Sequence, residues 1–182
     1  MTVRNLLIHA QELAHKYHKQ QRYGAQSYFS HLQNVSEVLF DYGFHSDCSQ
    51  TCAYLHDILE DTDYTAQRLK RDFGKEIYLI ILFCTDAKGK NRKERKQNTY
   101  ARNAKILKKH KDKNIKNLAR LIKIADRLAN IRNCIVTENW DLLQMYKKEK
   151  DTFRENYNLD FEYGSLRDMW DEYFRNLGYG WQ

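Results

Sequence analysis

The sequence predicts an all-α fold, organised as a single-domain, irregular helical bundle over residues 1–182. Apolar residues recur at helical spacing along nearly the whole chain, and no segment alternates cleanly enough to form the core of a sheet. Proline is absent, which suits long uninterrupted helices. With 182 residues, 42% of them hydrophobic, the chain is long enough for one domain with its own core.

Apolar stripes in the first half of the chain predict five helices, over residues 3–17, 28–42, 52–59, 65–74 and 75–84. Gly43 ends the second of these helices. Thr65 is the expected N-cap of the fourth helix, because a threonine hydroxyl accepts a hydrogen bond from a free backbone amide. Gly74 is its expected end, because glycine readily adopts the left-handed conformation that closes helices.

The second half of the chain begins with a predicted loop at residues 86–92, where glycine and many charges interrupt the apolar pattern. A charged helix follows to about residue 110. The longest well-patterned helix is expected over residues 115–136, and two more over residues 141–157 and 162–177. No internal repeat or Gly/Ser-rich linker is present, so we expect one domain.

The chain carries a formal net charge of +7, and its basic residues are unevenly distributed. Between Lys88 and Lys96 there are six basic residues and one acid. This density favours a polyanionic partner, either nucleic acid or a phosphate-rich small molecule. A solvated helix face would have the same composition, and the sequence leaves both interpretations open.

The four cysteines, at positions 48, 52, 84 and 134, match no known zinc-binding spacing. Cys48 and Cys52 lie one helical turn apart and could share a metal, but reduced and buried thiols are the simpler expectation. No apolar run is long enough to span a bilayer, and the N-terminus lacks the apolar core of a signal peptide. We therefore expect a cytoplasmic protein with no membrane partner.

Four side chains are candidate ligands of one catalytic metal, namely His31, His56, Asp57 and Asp126. Each lies among apolar residues of a predicted helix, where an ionisable group is costly unless it is paired or bound to a cation. Two imidazoles and two carboxylates suit a divalent metal such as Mn²⁺, Fe²⁺ or Zn²⁺ and leave positions open for water and substrate. The alternative is a purely structural polar network.

Glu60 and Asp61 follow the His56–Asp57 pair by one helical turn, so each lies beside a candidate ligand. A divalent ion lowers the pKa of water and polarises a phosphoryl oxygen. The two carboxyls are therefore candidates to orient or deprotonate the water, or to protonate a leaving group. The structural alternative is that they support the N-terminus of the following turn.

Ordered motifs along the chain carry a resemblance to a known family. They are Gln21-Arg22 with Tyr28 and His31, residues 55–62 (Leu-His-Asp-Ile-Leu-Glu-Asp-Thr), Phe73-Gly74, Thr85-Asp86, and residues 122–132 (Ile-Lys-Ile-Ala-Asp-Arg-Leu-Ala-Asn-Ile-Arg). Their order and spacing resemble the HD-type hydrolase domain of the RelA/SpoT alarmone enzymes. The short chain is most similar to a stand-alone small alarmone hydrolase. The resemblance spans about residues 6–136 and implies a helical bundle of the HD phosphohydrolase type.

The resemblance implies removal of the 3′-pyrophosphate of guanosine tetra- or pentaphosphate, which leaves GDP or GTP and pyrophosphate. It also implies that the four candidate ligands hold a single Mn²⁺ and that Glu60 and Asp61 serve water activation and catalysis. Arg22 and Asn130 match residues that line the nucleotide pocket in that family. Tyr23 stands where the family usually has a lysine; it can stack on a base but carries no charge.

The residues around the nucleoside depart from the family pattern, so base identity stays open. An adenine alarmone, NADPH or a nucleoside monophosphate is the alternative substrate. Lys88, Arg92 and Lys96 form a pool of cations, from which one or two are expected to neutralise substrate phosphates. A non-catalytic module that binds nucleic acid through this basic segment is disfavoured, because aromatic residues do not alternate with the basic ones. The expected partner is a small-molecule nucleotide.

Overall fold

The structure is a computed structural model that describes residues 3–157 and 164–178. Most of these residues are helical, which confirms the all-α fold class. The helices are α1 (Val3–Tyr17), α2 (Tyr28–Asp41), α3 (Asp47–Leu55), α4 (Ile58–Asp61), α5 (Ala66–Cys84), α6 (Arg92–Lys109), α7 (Lys113–Val136), α8 (Trp140–Tyr157) and α9 (Gly164–Leu177). An antiparallel hairpin of β1 (Arg22–Tyr23) and β2 (Gln26–Ser27) precedes α2.

Side-chain caps determine where several helices begin. Thr65, the cap expected from the sequence, accepts a hydrogen bond from the backbone amide of Arg68 at 3.3 Å. Ser46, Asn91 and Asp112 accept equivalent bonds at the starts of α3, α6 and α7. Each side-chain oxygen satisfies a backbone amide that the first helical turn leaves free. Local sequence therefore determines these boundaries.

Gly74 joins two helices that the sequence predicts separately, so that both lie within α5. Its backbone has φ 83° and ψ 173°, a conformation that residues with a side chain rarely adopt. The expected helix end is therefore a kink inside α5. Most of the buried residues of α5 follow this kink, and α5 packs against α7.

The helix predicted over residues 52–59 is wrong, because the chain breaks between α3 and α4. Asp57, at the break, has φ −102° and ψ 0°. Two side-chain contacts accompany the break: Nδ1 of His56 donates to the carbonyl of Ala53 at 2.8 Å, and the carboxylate of Asp57 accepts from the distant Tyr28 hydroxyl at 2.6 Å. Apolar periodicity contains no signal for either contact.

The β1–β2 hairpin is a second feature that helical periodicity does not indicate. Each strand has only two residues, too few for an alternating pattern. Gly24, with φ 60°, lies in the turn. The hairpin brings Tyr23 to α7, where its hydroxyl donates to Oδ1 of Asn130 at 2.9 Å.

Helix α7 is central and packs against α2, α5, α8 and α9. Its fully buried apolar residues are Ile122, Ile124, Ala125, Leu128 and Ile131. Buried side chains of the other long helices join them in one apolar cluster. Among the described residues, no helix combines the length and the apolar composition needed to cross a bilayer. Residues 162–163, where the last predicted helix begins, lie outside the described residues.

Glu172 connects α9 to α7 and α2. Its carboxylate accepts two hydrogen bonds from the Arg132 guanidinium, at 2.7 and 2.8 Å, and one from the Tyr42 hydroxyl. The bonds from Arg132 outweigh partial burial and lower the pKa of Glu172 to about 2. The stabilisation is therefore fully present above the unfolded-state pKa of about 4.3 and is lost as the pH falls towards 2.

We expect Glu172→Gln to lower the free energy of unfolding by about 2 kcal/mol at pH 7, because charge-assisted hydrogen bonds are lost. The difference from the unmodified chain should shrink below pH 4 and be largely lost as the pH falls through 2, as measured by urea unfolding across that range. Asp168→Asn is the matched control, because Asp168 is exposed on the same helix. A pH-independent difference would contradict the assignment.

Candidate active site

Four candidate metal ligands converge at one point in the interior. His31 lies on α2, His56 and Asp57 occupy the break between α3 and α4, and Asp126 lies on α7. Both imidazoles are buried, with 2% and 0% of their surfaces exposed, and Asp57 is 8% exposed. Three separate chain segments therefore bring their ionisable groups together in an apolar surrounding.

The donor atoms face one another at short range. Nε2 of His56 lies 2.9 Å from Oδ2 of Asp57 and 3.7 Å from Oδ1 of Asp126. Nε2 of His31 lies 3.3 Å from Nε2 of His56, 3.4 Å from Oδ1 of Asp126 and 3.6 Å from Oδ2 of Asp57. Donors bound at about 2.0–2.2 Å around one divalent ion are separated by about 3–3.6 Å. Both imidazoles and the Asp126 carboxylate therefore form a group that fits a divalent cation, and the Asp57 carboxylate lies beside both imidazoles.

The tautomer of His56 also suits metal binding. Its Nδ1 faces the backbone carbonyl of Ala53 at 2.8 Å, so the hydrogen belongs on Nδ1 and the lone pair of Nε2 points into the cluster. His31 presents Nε2 to the same point, and its buried Nδ1 has no hydrogen-bond partner in the described part of the chain. Both rings thus direct one nitrogen towards the carboxylates.

The imidazoles and carboxylates shift the pKa values of one another. Burial alone would lower the pKa of His56, but the charges of Asp57 and Asp126 outweigh it and raise that pKa well above the usual value. Burial would raise the pKa of Asp126, yet the Lys123 cation and hydrogen bonds from both rings hold it well below the usual range. Both carboxylates are held ionised, the form that binds cations.

Glu60 and Asp61 lie beside the cluster at the mouth of a cavity. The backbone amide of Asp86 donates to Oε2 of Glu60 at 2.7 Å, and the Tyr28 hydroxyl lies 3.0 Å from Oδ2 of Asp61. Partial desolvation by the surrounding protein raises the pKa of both carboxyls, and the charge of Asp57 raises that of Asp61 further. A raised carboxyl pKa suits proton transfer near neutral pH.

Asn130 and Tyr23 line the same cavity, and in this structure they contact the cluster. The Asn130 amide donates to Oδ1 of Asp126 at 2.7 Å and to its backbone carbonyl at 3.0 Å. Oδ1 of Asn130 accepts from the Tyr23 hydroxyl, and the centre of the Tyr23 ring lies 4.8 Å from that of the His31 ring. Both side chains therefore orient candidate ligands, in addition to the substrate contacts expected for them.

Basic residues also line this cavity of about 280 Å³ and together form its cationic wall. Arg92 and Lys96, both expected from the sequence, are held by carboxylates: Arg92 by Glu149 at 2.6 and 3.0 Å, and Lys96 by Asp86 at 2.8 Å. Because each cation has a fixed partner, its position is set before any ligand binds. The cavity thus combines carboxylates and fixed cations.

Lys123 and Arg127 are cavity residues that the sequence interpretation missed. Nζ of Lys123 lies 3.2 Å from Oδ2 of Asp126, and the Arg127 guanidinium lies 4.5 and 4.4 Å from the ring centres of Tyr146 and Phe153. Only 6% and 5% of the two basic residues are exposed. The sequence did contain a signal for them, because both are basic residues that interrupt the apolar run around Asp126.

Arg22 and Lys88 do not line the cavity. Arg22 is exposed on the hairpin, where its guanidinium donates to the carbonyl of Ala25 at 2.5 Å. Lys88 is exposed in the loop before α6. The family resemblance suggested Arg22, and the density of basic residues suggested Lys88, but neighbouring residues in a tight turn or loop point in different directions.

Comparison with known proteins identifies the family. The family model described as the HD domain matches residues 10–153. A guanosine-3′,5′-bis(diphosphate) 3′-pyrophosphohydrolase, MESH1 of Drosophila melanogaster, is 31% identical over 173 residues, which cover 92% of each chain. MESH1 of Xenopus tropicalis is 30% identical over 70% of this chain and 69% of its own. A probable enzyme of the same name from Mycoplasma pneumoniae is 31% identical, but the match spans only 18% of its length.

Solved structures agree with the sequence comparison. A metazoan orthologue of SpoT, described as hydrolysing ppGpp, superposes with a TM-score of 0.74 at 27% identity over 95% of this chain and 96% of its own. A protein of Listeria monocytogenes shares the fold, with a TM-score of 0.62 at 23% identity over 84% of this chain and 96% of its own. The resemblance inferred from the motifs is confirmed: this chain belongs to the HD-domain family that includes the MESH1 3′-pyrophosphohydrolases.

Proposed function

We propose that this protein is a metal-dependent hydrolase that removes the 3′-pyrophosphate of guanosine tetra- or pentaphosphate. One observation carries the proposal: the Nε2 atoms of His31 and His56 lie 3.3 Å apart and 2.9–3.7 Å from oxygens of Asp57 and Asp126, beside a cavity that cations also line. A nucleotide with a pyrophosphate at each end needs both features. The names of the 3′-pyrophosphohydrolase relatives support this substrate class.

His31, His56, Asp57 and Asp126 would hold one divalent ion, which we propose to be Mn²⁺. When bound, such an ion polarises a phosphoryl oxygen and makes water a better nucleophile. The mixture of two nitrogens and two carboxylate oxygens suits manganese, although Fe²⁺ and Zn²⁺ accept the same donors. Asn130 and Lys123 fix the orientation of Asp126 from behind, at 2.7 and 3.2 Å.

The reaction joins a water oxygen to the phosphorus next to the ribose 3′-oxygen and breaks the bond between that phosphorus and the 3′-oxygen. One proton leaves the water, and one reaches the 3′-oxygen. We assign these two transfers to Glu60 and Asp61, because both lie at the cavity mouth with raised pKa values. The two products, GDP or GTP and pyrophosphate, together contain all atoms of the substrate and the water.

The cationic wall would bind phosphate groups. Arg92, Lys96, Lys123 and Arg127 are all cavity residues, and each is oriented by a neighbouring carboxylate or aromatic ring. Fixed cations bind pyrophosphate without first being ordered, which favours the bound state. Tyr23 presents an aromatic ring at the same cavity and is the candidate to contact the base.

A product assay tests the proposal. With Mn²⁺, we expect guanosine tetraphosphate to give GDP and pyrophosphate in equal amounts, resolved by anion-exchange chromatography, and His56→Ala to give neither. Chelation should abolish turnover, and Mn²⁺ should restore it more fully than Fe²⁺ or Zn²⁺. Release of inorganic phosphate would contradict the bond assignment. Faster hydrolysis of the adenosine analogue, NADPH or a nucleoside monophosphate would reassign the substrate.

We further propose that residues 1–182 act as one domain in a reducing, cytoplasmic compartment. The buried apolar residues of the described helices belong to one cluster, which supports a single domain. Cys48, Cys52, Cys84 and Cys134 are free thiols, which suits a reducing compartment. Thiol titration of the protein unfolded without reductant should therefore find four reduced cysteines.

A further inference from the structure

Tyr28, the first residue of α2, contacts two functional carboxylates at once. Its hydroxyl lies 2.6 Å from Oδ2 of Asp57 and 3.0 Å from Oδ2 of Asp61. Asp57 is a candidate metal ligand, whereas Asp61 is assigned to proton transfer. One phenol thus bridges the metal cluster and the cavity mouth.

His18 lies behind Tyr28, just beyond the end of α1. Its ring stacks on the Tyr28 ring with centroids 4.9 Å apart and planes inclined by 18°. Nδ1 of His18 lies 2.7 Å from Oε1 of Gln21, and the Gln21 amide donates to the backbone carbonyl of Asp61 at 2.5 Å. His18 therefore reaches the Asp61 region by two routes, through the phenol ring and through Gln21.

We propose that Tyr28 and His18 are positioning residues for hydrolysis. The Tyr28 hydroxyl holds the carboxylate of Asp57 at a fixed distance from that of Asp61. His18 fixes the plane of the phenol and, through Gln21, the backbone that carries Asp61. The inference rests on the proposed function, because it gives these contacts a purpose only if Asp57 binds metal and Asp61 transfers protons.

The polarity of His18 favours positioning over simple packing. Only 1% of its surface is exposed, and its Nε2 is buried without a hydrogen-bond partner among the described residues. Leaving a polar atom in that state is destabilising, whereas an apolar ring of similar size would fill the space without this cost. Burial also lowers the pKa of His18, so the ring is neutral and Nδ1 carries the hydrogen directed at Gln21.

The geometry also explains why a tyrosine occupies position 28. Oδ2 of Asp57 already faces Nε2 of His56 at 2.9 Å, so the Tyr28 hydroxyl approaches an oxygen of the metal cluster itself. A partner of a ligating carboxylate orients the ligand and adjusts its basicity. Phenylalanine would keep the ring stacked on His18 but would remove the hydroxyl that links Asp57 to Asp61.

The test compares Tyr28→Phe with Tyr64→Phe. Tyr64 is a matched control, because it is 4% exposed and its hydroxyl donates to the carboxylate of Asp72 at 2.5 Å. We expect Tyr28→Phe to weaken Mn²⁺ binding in calorimetric titration and to lower kcat, each by about 10–100-fold. KM for guanosine tetraphosphate should change little, because the cationic wall is untouched. Tyr64→Phe should leave metal binding and kcat unchanged.

His18→Phe tests the second route, since it keeps a stacked ring and removes the contact with Gln21. We expect a smaller loss of kcat than in Tyr28→Phe. The two losses should combine to less than their product, because both act on the same pair of carboxylates. A Tyr28→Phe variant with Mn²⁺ affinity and kcat within threefold of Tyr64→Phe would overturn the inference. Failure of the unmodified protein to bind Mn²⁺ would instead overturn the proposed function.

Discussion

Replacing Asp57 with alanine is expected to reduce turnover of guanosine tetraphosphate by about a thousandfold, equivalent to about 4 kcal/mol of transition-state stabilisation. The substitution removes an oxygen that lies 2.9 Å from Nε2 of His56 and 2.6 Å from the Tyr28 hydroxyl. The cluster would lose one of its two carboxylates and half of its negative charge. Titration with Mn²⁺ should therefore show loss of metal binding, and single-turnover kinetics should show loss of hydrolysis in the same variant.

Asp63→Ala is the matched control for this substitution, because Asp63 is exposed six positions further along the chain. It should bind Mn²⁺ and hydrolyse substrate like the unmodified protein. Circular dichroism should show that both variants keep their helical content. An Asp57→Ala variant that retains substantial turnover would refute the ligand assignment, whereas Asp57→Asn should keep the volume of the side chain but not the activity.

Replacing Lys123 with methionine is expected to destabilise the metal-free protein by about 3 kcal/mol, a large part of the usual stability of a domain. Lys123 is 6% exposed, and its Nζ lies 3.2 Å from Oδ2 of Asp126. Nearby negative charges, led by Asp126, overcome the effect of burial and raise the pKa of Lys123. Methionine keeps the apolar stem, so the loss would report the removal of the charge.

Mn²⁺ should reduce this loss, because a bound cation would compensate Asp126 in place of the ammonium group. Chemical unfolding with chelator and with saturating Mn²⁺ would measure both values. Lys113→Met provides the control, because Lys113 is exposed at the start of the same helix. Equal destabilisation by Lys123→Met in both conditions would show that bound Mn²⁺ does not replace the lysine as the cation that compensates Asp126.

Most of the helices could be predicted from the sequence because their signals are local. Apolar periodicity and the cap at Thr65 depend on residues within a few turns of one another, and the structure contains the corresponding helices. The break at Asp57 and the hairpin at Tyr23 were not predicted. Both coincide with contacts between residues distant in the chain, namely Tyr28 with Asp57 and Tyr23 with Asn130.

The candidate site likewise combines features that the sequence predicts with features that only the packing of the helices determines. Its ligand types were identified by chemistry, because two imidazoles and two carboxylates in apolar segments require a common partner. Their donor-atom separations, the bridge formed by Tyr28, and the burial of Lys123 beside Asp126 depend on how α2, the α3–α4 break and α7 pack. The sequence alone thus determined the helical fold class, the family motifs and the candidate metal ligands. Only the tertiary structure decided which cations enter the cavity, because a side chain's direction depends on the packing of the element that carries it.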